Sequence, residues 1–351
     1  MRILVVGDPY MPGEVFREPL TAIGAGVVVD FAQIEETRPA PARTESEHRL
    51  REYAGSPDQV RAALAGHDAL VVHGAPVSAE VLDGTGVRLV FCARGGPVNV
   101  DVEAATKLGI PVFNTPGKNA EAVADMTIAF ALMLLRRIPR SSRHLLDGGG
   151  LGESTFEGRE FIGREAAGTV LGLVGYGHVG QQVAKRAVAL GMPVLVHDPY
   201  LSGSPANTPI EVVSLAELLD GSDVVSLHAR ATPENHHLVG AAELAAMRPG
   251  AFLINTARES LVDEAALLAA LESGRLGGAA LDVVNPPPAG VRHPLLDAPN
   301  VLVTPHIGGA TDETLRRGAD MIAAAIRELL AGRVPATLVN KETVASIRWP
   351  A

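Results

Sequence analysis

The sequence predicts an α/β protein that contains two doubly wound parallel sheets. Short runs rich in valine and isoleucine alternate with helical patterns, and this alternation is typical of parallel strands joined by crossover helices. The alternation occurs in two series, the second of which begins after Asn119, and a length of 351 residues is typical of two domains. A glycine-rich turn in the second series follows an apolar run and precedes a helical pattern, which is typical of doubly wound sheets.

The first series contains strands and helices in alternation. Strands are predicted over 3–6, 27–30, 69–73, 89–92 and 112–114. Helices are predicted over 13–23, 57–65, 79–82 and 100–108. The stretch 35–55 is charged and contains proline, so we interpret it as an excursion over the surface.

The second series opens with a long helix over 120–137. Asn119 can cap this helix, and Glu121 lies in the first turn, where the helix dipole favours an acid. Strands are predicted over 170–174, 193–197, 224–228, 252–255, 278–282 and 301–304. Helices are predicted over 179–190, 215–220, 241–247, 264–273 and 311–330.

The composition excludes several classes of protein. With 47% hydrophobic and 20% charged residues, the chain can bury large cores, so global disorder is not expected. The formal net charge of −10 argues against nucleic acid or an anionic membrane as a partner, because both favour a basic surface. The first apolar run is too short for a signal peptide, and we predict neither a membrane span nor a metal site. The single cysteine, Cys92, cannot form an internal disulfide, so we expect a cytoplasmic protein.

The glycine-rich turn has the pattern G-x-G-x-x-G of dinucleotide-binding proteins. Its glycines are Gly175, Gly177 and Gly180, which serve the tight turn, the close approach of the backbone to a pyrophosphate and the packing of helix on strand. The helix that follows directs N–H groups at the phosphates. The predicted cofactor-binding residues in the turn are Gly175, Tyr176, Gly177, His178, Val179 and Gly180. The alternative is a glycine turn without a ligand.

An acidic residue at the end of the next strand indicates which dinucleotide is bound. Asp198 follows Gly175 by 23 residues and can accept hydrogen bonds from both ribose hydroxyls. A carboxylate there repels a 2′-phosphate, and no arginine follows it in the segment 199–201. The sequence therefore predicts NAD rather than NADP.

Several further segments, in their order and spacing, resemble the D-2-hydroxyacid dehydrogenase family, especially its phosphoglycerate-dehydrogenase-like branch. The matching segments are ARGGPVNVD at 93–101, NTPGKN at 114–119, the glycine turn, NTAR at 255–258, ALDV at 280–283 and TPHIGG at 304–309. The resemblance implies a Rossmann NAD-binding domain over 118–304, inserted into a flavodoxin-like substrate domain that comprises 1–117 and 305–351. It also implies an active site in the cleft between these domains.

The resemblance implies roles for single residues. Arg258 matches the substrate-binding arginine, whose guanidinium can grip a carboxylate at two points, and a surface ion pair is the alternative. His306 matches the general acid/base, with a purely structural histidine as the alternative. The substrate-binding loop corresponds to Arg94, Gly95 and Gly96, which could instead be a plain turn. The further residues that the resemblance places at the cofactor are His228, Thr256, Ala257 and Asp282.

One position departs from the family pattern. Pro287 stands where the family has a glutamate that hydrogen-bonds the catalytic histidine and favours its protonated form. Another acid could replace it, and the candidates are Glu259, Asp282 and Asp297. Alternatively, the histidine works as a weaker acid, or the reaction needs no proton transfer, as in the formate dehydrogenases of this superfamily.

The sequence therefore predicts an NAD-dependent oxidoreductase that interconverts a D-2-hydroxy acid and its 2-oxo acid. Its partner would be a small organic acid, and phosphorylated, sugar-derived and aliphatic acids all remain open. The alternatives are a formate-dehydrogenase-like hydride transfer and an NAD(H)-binding redox sensor without catalysis. Helix 120–137 is apolar on nearly every face, so we also predict a homodimer through this helix, the alternative being that one subunit covers it alone.

Overall fold

A computed structural model describes residues 1–24, 26–150, 158–159, 161–201, 203–204, 208–298 and 300–347. The chain divides into two compact units, one formed by Met1–Lys118 with Thr311–Ala351 and the other by Asn119–Ala310. Each unit is built on one parallel sheet with helices, so the predicted fold class is confirmed.

The elements are numbered in chain order. The strands are β1 (Arg2–Gly7), β2 (Val28–Gln33), β3 (Ala69–Val72), β4 (Leu89–Cys92), β5 (Val112–Phe113), β6 (Leu171–Val174), β7 (Val194–His197), β8 (Ile210–Val212), β9 (Val224–Leu227), β10 (Phe252–Asn255), β11 (Gly278–Leu281) and β12 (Val301–Val303). The helices are α1 (Arg17–Thr21), α2 (Glu45–Arg49), α3 (Pro57–Ala63), α4 (Ala79–Leu82), α5 (Val102–Lys107), α6 (Ala120–Leu135), α7 (Ile138–Leu146), α8 (His178–Ala189), α9 (Leu215–Gly221), α10 (Ala241–Ala246), α11 (Glu264–Glu272) and α12 (Asp312–Leu330).

The sheet of the first unit has five parallel strands in the order β2-β1-β3-β4-β5, which is the flavodoxin-like order. Both of its faces are buried, as expected for a parallel sheet. Alternate residues of β1 show this directly: Ile3 and Val5 pack with residues of α12, whereas Leu4 and Val6 pack with Val60 of α3.

The sheet of the second unit has seven parallel strands in the order β12-β11-β10-β9-β6-β7-β8. This is the Rossmann order with one additional strand, and the order reverses beside β6. Helix α6 and helix α8 pack together on one face with Leu171 and Leu173 of β6. The carboxyl end of β6, where the glycine turn lies, is therefore at the centre of the sheet.

Two α-helices and one strand were not predicted. Helix α2 lies inside the excursion 35–55, where the side chain of Thr44 accepts a hydrogen bond from the N–H of Glu47 and begins the helix. Helix α7 has no buried residue, and strand β8 has only three residues. A strand of three residues is too short for apolar periodicity to reveal it.

Two predicted helices are divided by a change of backbone conformation or end at one, and the other predicted helices differ from the observed ones by no more than two residues at their ends. The predicted helix 13–23 is a 3₁₀ helix at Gly13–Phe16 followed by α1. The predicted helix 120–137 ends at Leu135, and Arg137 adopts a left-handed backbone with φ of 55° between α6 and α7. Within the described part of the chain, no helix combines the length and the apolarity needed to cross a membrane.

Candidate functional site

The glycine turn joins β6 to α8, and its glycines meet different surroundings. Gly175 has a φ of +100°, and a Cβ there would lie 2.7 Å from the backbone N of Ala229. A Cβ on Gly180 would lie 2.3 Å from the carbonyl oxygen of Gly175. A Cβ on Gly177 would meet no atom within 4 Å. The first and third glycines thus allow close backbone packing, whereas the second faces open space that a ligand could fill.

The start of α8 suits an anionic ligand. Gly177 is the N-cap residue and offers no side-chain acceptor to the first N–H groups of the helix. Gly177 and His178 are exposed, whereas Tyr176 and Val179 pack against the core of the unit. The unpaired N–H groups and the positive end of the helix dipole therefore face the open space beside Gly177.

Asp198 is anchored beside this turn. It follows β7, and its Oδ2 accepts a hydrogen bond from the N–H of Tyr176 at 2.8 Å. Its Oδ1 accepts from the N–H of Tyr200 at 2.9 Å. Each carboxylate oxygen can accept a second hydrogen bond, so Asp198 is held in place and can still receive hydroxyl donors.

His306 follows β12 in a loop that Asp282 holds. The carboxylate of Asp282 accepts hydrogen bonds from Thr304 Oγ1 at 2.6 Å, from the N–H of Ile307 at 2.8 Å and from the N–H of Gly308 at 2.7 Å. The N–H of His306 donates to the carbonyl oxygen of Asp282 at 2.9 Å. His306 itself is exposed and has a φ of 56°, a strained backbone for a residue other than glycine. Asp282 therefore fixes the loop that presents the imidazole.

The segment after β10 is organised by Asn255, which sequence reasoning missed. Its Oδ1 accepts a hydrogen bond from the N–H of Ala257 at 3.0 Å, and its Nδ2 donates to the carbonyl oxygen of Arg258 at 2.8 Å. Asn255 is only 1% exposed. The backbone that carries Arg258 is thus set by a buried amide, and a polar residue at the end of an apolar strand was the available signal. The guanidinium of Arg258 donates to the carbonyl oxygen of Ala257 at 2.7 Å.

Thr256 and His228 complete this edge of the second sheet. The hydroxyl of Thr256 lies 3.2 Å from that of Thr127 on α6. His228 follows β9, and its Nε2 lies 2.9 Å from the hydroxyl oxygen of Ser226. Burial lowers the pKa of His228 to about 4, so this histidine is neutral at physiological pH.

The structure brings the predicted residues of the second unit together. They follow the carboxyl ends of parallel strands, which meet at one edge of the sheet. A Cβ on Gly175 would lie 2.7 Å from the carbonyl carbon of His228, and the N–H of Asp282 donates to the carbonyl oxygen of Asn255 at 2.9 Å. His306 joins this group through its bond to Asp282.

The predicted substrate-binding loop lies in the first unit, after β4. Arg94 donates to the carbonyl oxygen of Glu52 at 2.7 Å and forms an ion pair with its carboxylate. The carbonyl oxygen of Gly95 accepts a hydrogen bond from Asn114 Nδ2 at 2.8 Å. A Cβ on Gly96 would meet no atom within 4 Å, so the loop faces open space. Sequence reasoning missed Glu52, because its partner lies 42 residues away.

Pro287 lies in an exposed loop that supplies no carboxylate at its own position. Of the acids considered as replacements, Asp282 uses its oxygens in the loop of His306, and Asp297 forms an ion pair with Arg292 at 2.9 Å. Glu259 begins a 3₁₀ helix and is half-buried.

The base of the same loop is held by Glu264, which sequence reasoning missed. Its Oε1 accepts a hydrogen bond from the N–H of Asn285 at 2.7 Å, and its Oε2 lies 3.2 Å from Nε2 of His293.

No group of three or more side chains among the described residues is arranged to hold a metal ion.

Comparisons with known proteins show the family of this chain. The model of the family described as D-isomer specific 2-hydroxyacid dehydrogenase, NAD binding domain, matches residues 128–308. The hydroxypyruvate reductase of Thermotoga maritima is 36% identical over 277 residues, which cover 78% of this chain and 88% of that protein. The D-3-phosphoglycerate dehydrogenase of Methanocaldococcus jannaschii is 36% identical over 281 residues, which cover 79% of this chain and 52% of that protein. The chain therefore spans about half the length of this second relative.

A solved structure supports the same assignment. The structure of D-2-hydroxyisocaproate dehydrogenase matches with a TM-score of 0.80 and 26% identity, and the match covers 97% of this chain and 100% of that chain. The resemblance drawn from the motifs is thus confirmed. The chain belongs to the D-isomer specific 2-hydroxyacid dehydrogenase family and carries the NAD-binding domain of these NAD-dependent oxidoreductases.

Proposed function

We propose that this protein interconverts a D-2-hydroxy acid and its 2-oxo acid. The observation that carries the proposal is that Arg258 and His306 follow the carboxyl ends of β10 and β12, at the sheet edge that also holds the glycine turn. This chemistry needs a cation that binds the substrate carboxylate and an imidazole that transfers a proton. We also propose that the first unit binds the substrate and that the second binds NAD.

The residues of the second unit fit NAD. The open space beside Gly177 and the uncapped start of α8 suit a pyrophosphate. The anchored carboxylate of Asp198 can accept hydrogen bonds from both ribose hydroxyls of NAD, and it repels the 2′-phosphate of NADP. We place the nicotinamide end near His228, Thr256 and Asp282. When bound, the cofactor accepts or supplies a hydride at the substrate carbon.

The other steps belong to side chains of this chain. Arg258 grips the substrate carboxylate and polarises the adjacent carbonyl group. In reduction, His306 donates a proton from its imidazole to the carbonyl oxygen, and in oxidation it removes the hydroxyl proton. We assign the N–H groups of the loop that contains Arg94, Gly95 and Gly96 to substrate binding by the first unit. The clamp by Asp282 holds the backbone of the loop that carries His306, which limits the reorganisation of this loop during the reaction.

Two alternatives follow from Pro287, which leaves His306 without the glutamate of the family. A formate-dehydrogenase-like reaction needs no proton transfer, and a redox sensor needs none either. A panel of glyoxylate, hydroxypyruvate, pyruvate and longer 2-oxo acids with NADH, together with formate and NAD, distinguishes the three functions. We expect turnover of at least one 2-oxo acid and none of formate. Turnover of formate alone would establish the formate-dehydrogenase-like reaction.

Pro287→Glu is expected to extend reduction to higher pH. A carboxylate beside an imidazole favours the protonated form, so the proton that reduction consumes stays available to higher pH. The measurement is the pH dependence of kcat/KM for a 2-oxo acid, compared between the wild type and the variant. Pro286→Glu is the matched control, because it places the same charge one residue away in the same exposed loop. An unchanged profile for Pro287→Glu would show that the absence of this glutamate has no bearing on the proton transfer.

Gly177→Ala is expected to weaken NADH binding about tenfold or more without disturbing the fold. The added Cβ meets no protein atom within 4 Å and therefore occupies only the space assigned to the pyrophosphate. Titration calorimetry measures the affinity, and thermal unfolding without cofactor checks the fold. Gly158→Ala is the control, because its Cβ also meets no protein atom within 4 Å. Wild-type affinity in Gly177→Ala would place the cofactor elsewhere.

We also propose a homodimer in the cytoplasm. Helix 120–137 was predicted to need a partner, but α6 buries Ile128, Phe130 and Leu134 within its own chain. The support now comes from α7, where Leu146 is 81% exposed and no residue is buried. Light scattering should give twice the mass of the monomer, and Leu146→Glu should shift the protein towards the monomer. A monomer at micromolar wild-type concentration would contradict the dimer.

A further inference from the structure

The segment between β2 and α3 lies against the predicted substrate-binding loop of the first unit. This loop follows β4 and extends from Ala93 to Asp101, and both the loop and the segment belong to the first unit. Residues 46–52, which we call the strap, contact the loop at three places. No residue of the strap has been assigned a part in the reaction described above.

The first contact holds the beginning of the loop. The guanidinium of Arg94 donates to the carbonyl oxygen of Glu52 at 2.7 Å and forms an ion pair with the carboxylate of the same residue. The side chain of Arg94 is only 18% exposed, so this pair is partly shielded from water. Two nitrogens of one planar group are thus engaged by one residue, which orients the guanidinium towards the strap.

The other contacts hold the middle and the end of the loop. The N–H of Arg51 donates to the carbonyl oxygen of Val98 at 2.9 Å. The carboxylate of Asp101 accepts hydrogen bonds from Ser46 Oγ at 2.5 Å and from the guanidinium of Arg49 at 2.7 Å. Ser46 and Asp101 are both buried, so the hydrogen bond between them is stronger than it would be in water.

The strap leaves the two glycines of the loop uncovered. A Cβ on Gly96 would meet no atom within 4 Å, and one on Gly95 would meet only the carbonyl oxygen of Thr115, at 3.9 Å. In the described part of the chain, the N–H groups of Gly95 and Gly96 donate no hydrogen bond. The strap therefore fixes the loop on both sides of two N–H groups that are available to a ligand.

The backbone of Glu52 is strained. Its φ of 50° lies in the left-handed region, which a residue other than glycine rarely adopts. Such a conformation persists where the surrounding structure enforces it, and it occurs mainly at functional sites. Here the hydrogen bond of Arg51 to the loop and that of Ala54 to the carbonyl oxygen of Gly74, at 3.0 Å, hold the flanking backbone. The fold thus maintains a conformation in which the carbonyl and the carboxylate of Glu52 contact the same guanidinium.

We propose that Glu52 is a positioning residue, which acts through Arg94 to hold the loop so that the N–H groups of Gly95 and Gly96 bind the substrate. The side chain of Arg94 then belongs to the contact with the strap and does not itself bind the substrate. This inference rests on the proposed function only for the assignment of the loop to the substrate. All the contacts that carry it lie within the first unit.

Hydrogen exchange tests the strap without any substrate. In Glu52→Gln, the N–H groups in 50–54 and 97–101 should exchange about fivefold faster, as expected for the loss of a partly exposed ion pair. Mass spectrometry of peptides from these two segments measures the rates. Glu14→Gln is the matched control, because Glu14 forms an exposed ion pair with Arg17 at 2.7 Å in the same unit. Unchanged exchange in Glu52→Gln would refute the role of the strap.

Steady-state kinetics tests whether the loop binds the substrate through its backbone. Glu52→Gln and Arg94→Met should each raise KM for the preferred 2-oxo acid about fivefold, while kcat stays within about twofold. The double variant should lose no more than Arg94→Met alone, because both substitutions break the same contact. Thermal unfolding and NADH affinity are measured for each variant, since a merely structural effect would lower stability without a selective rise in KM.

The results that would overturn the proposal are also defined. If Arg94 bound the substrate directly, Arg94→Met would lower kcat/KM about a hundredfold. Glu52→Gln would then leave kcat/KM unchanged or raise it, because the guanidinium would be released from its ion pair. Losses that multiply in the double variant would equally contradict the proposal, since they would show that the two residues act independently. Absence of turnover with every 2-oxo acid would refute the proposed function, whereas the exchange rates would still decide whether the strap holds the loop.

Discussion

His306→Asn is expected to lower kcat/KM for the preferred 2-oxo acid by about a thousandfold while leaving NADH affinity within about threefold. The imidazole is the group assigned to the proton transfer, and a general acid of this kind contributes about 10²–10⁴-fold to the rate. We assign the cofactor to the glycine turn and Asp198, which the substitution does not touch. The loss should therefore fall on the chemical step.

Asparagine is the informative replacement because of the backbone at this position. His306 has a φ of 56°, and asparagine adopts such left-handed conformations more readily than other residues with a side chain. The N–H of residue 306 can still donate to Asp282, so the loop should keep its shape. His48→Asn is the control, since His48 is exposed on α2. A variant with wild-type kcat/KM would exclude His306 from proton transfer.

Arg258→Leu is expected to lower kcat/KM by about a thousandfold, and Arg258→Lys by about a hundredfold. Leucine removes the charge that we assign to the substrate carboxylate, whereas lysine keeps the charge but not the two-point geometry. Steady-state kinetics with a saturating cofactor concentration measures both losses.

The substitutions at Arg258 should leave the surrounding backbone in place. The carbonyl oxygen of residue 258 accepts from Asn255 whatever the side chain is. Arg88→Lys is the matched control, because Arg88 forms an exposed ion pair with Asp68 at 2.8 Å. If Arg258→Lys retained full activity, two-point binding of the carboxylate would be wrong. Full activity in Arg258→Leu would remove this residue from the site.

The alternation of apolar runs was sufficient to predict most of the fold. Parallel strands buried on both faces leave runs such as those of β1 and β3, and each has to be followed by a crossover helix. The pattern did not predict helix α2, because this helix is stabilised by interactions other than apolar packing. Helix α2 depends on the cap at Thr44 and on ion pairs such as that between Arg49 and Glu45 at 3.0 Å, not on an apolar face.

The site was predictable where it depends on local geometry. A glycine such as Gly175 is required by the turn itself, so its spacing is visible in the sequence. The residues that were missed act across long separations. Arg94 and Glu52 are 42 residues apart, and the sequence alone does not indicate that they form a pair. For Asp282, the sequence suggested a cofactor contact. The structure shows that its carboxylate also holds the loop of His306, through a hydrogen bond from Thr304, which is 22 residues away from Asp282.

The consumption of NADH by purified protein across a panel of 2-oxo acids tests the central claim most directly. At least one acid should be turned over, and the rate should depend on the concentration of that acid. The same preparation should bind NADH in the absence of any acid. Tight binding of NADH without turnover of any 2-oxo acid would contradict the account and would indicate a redox sensor.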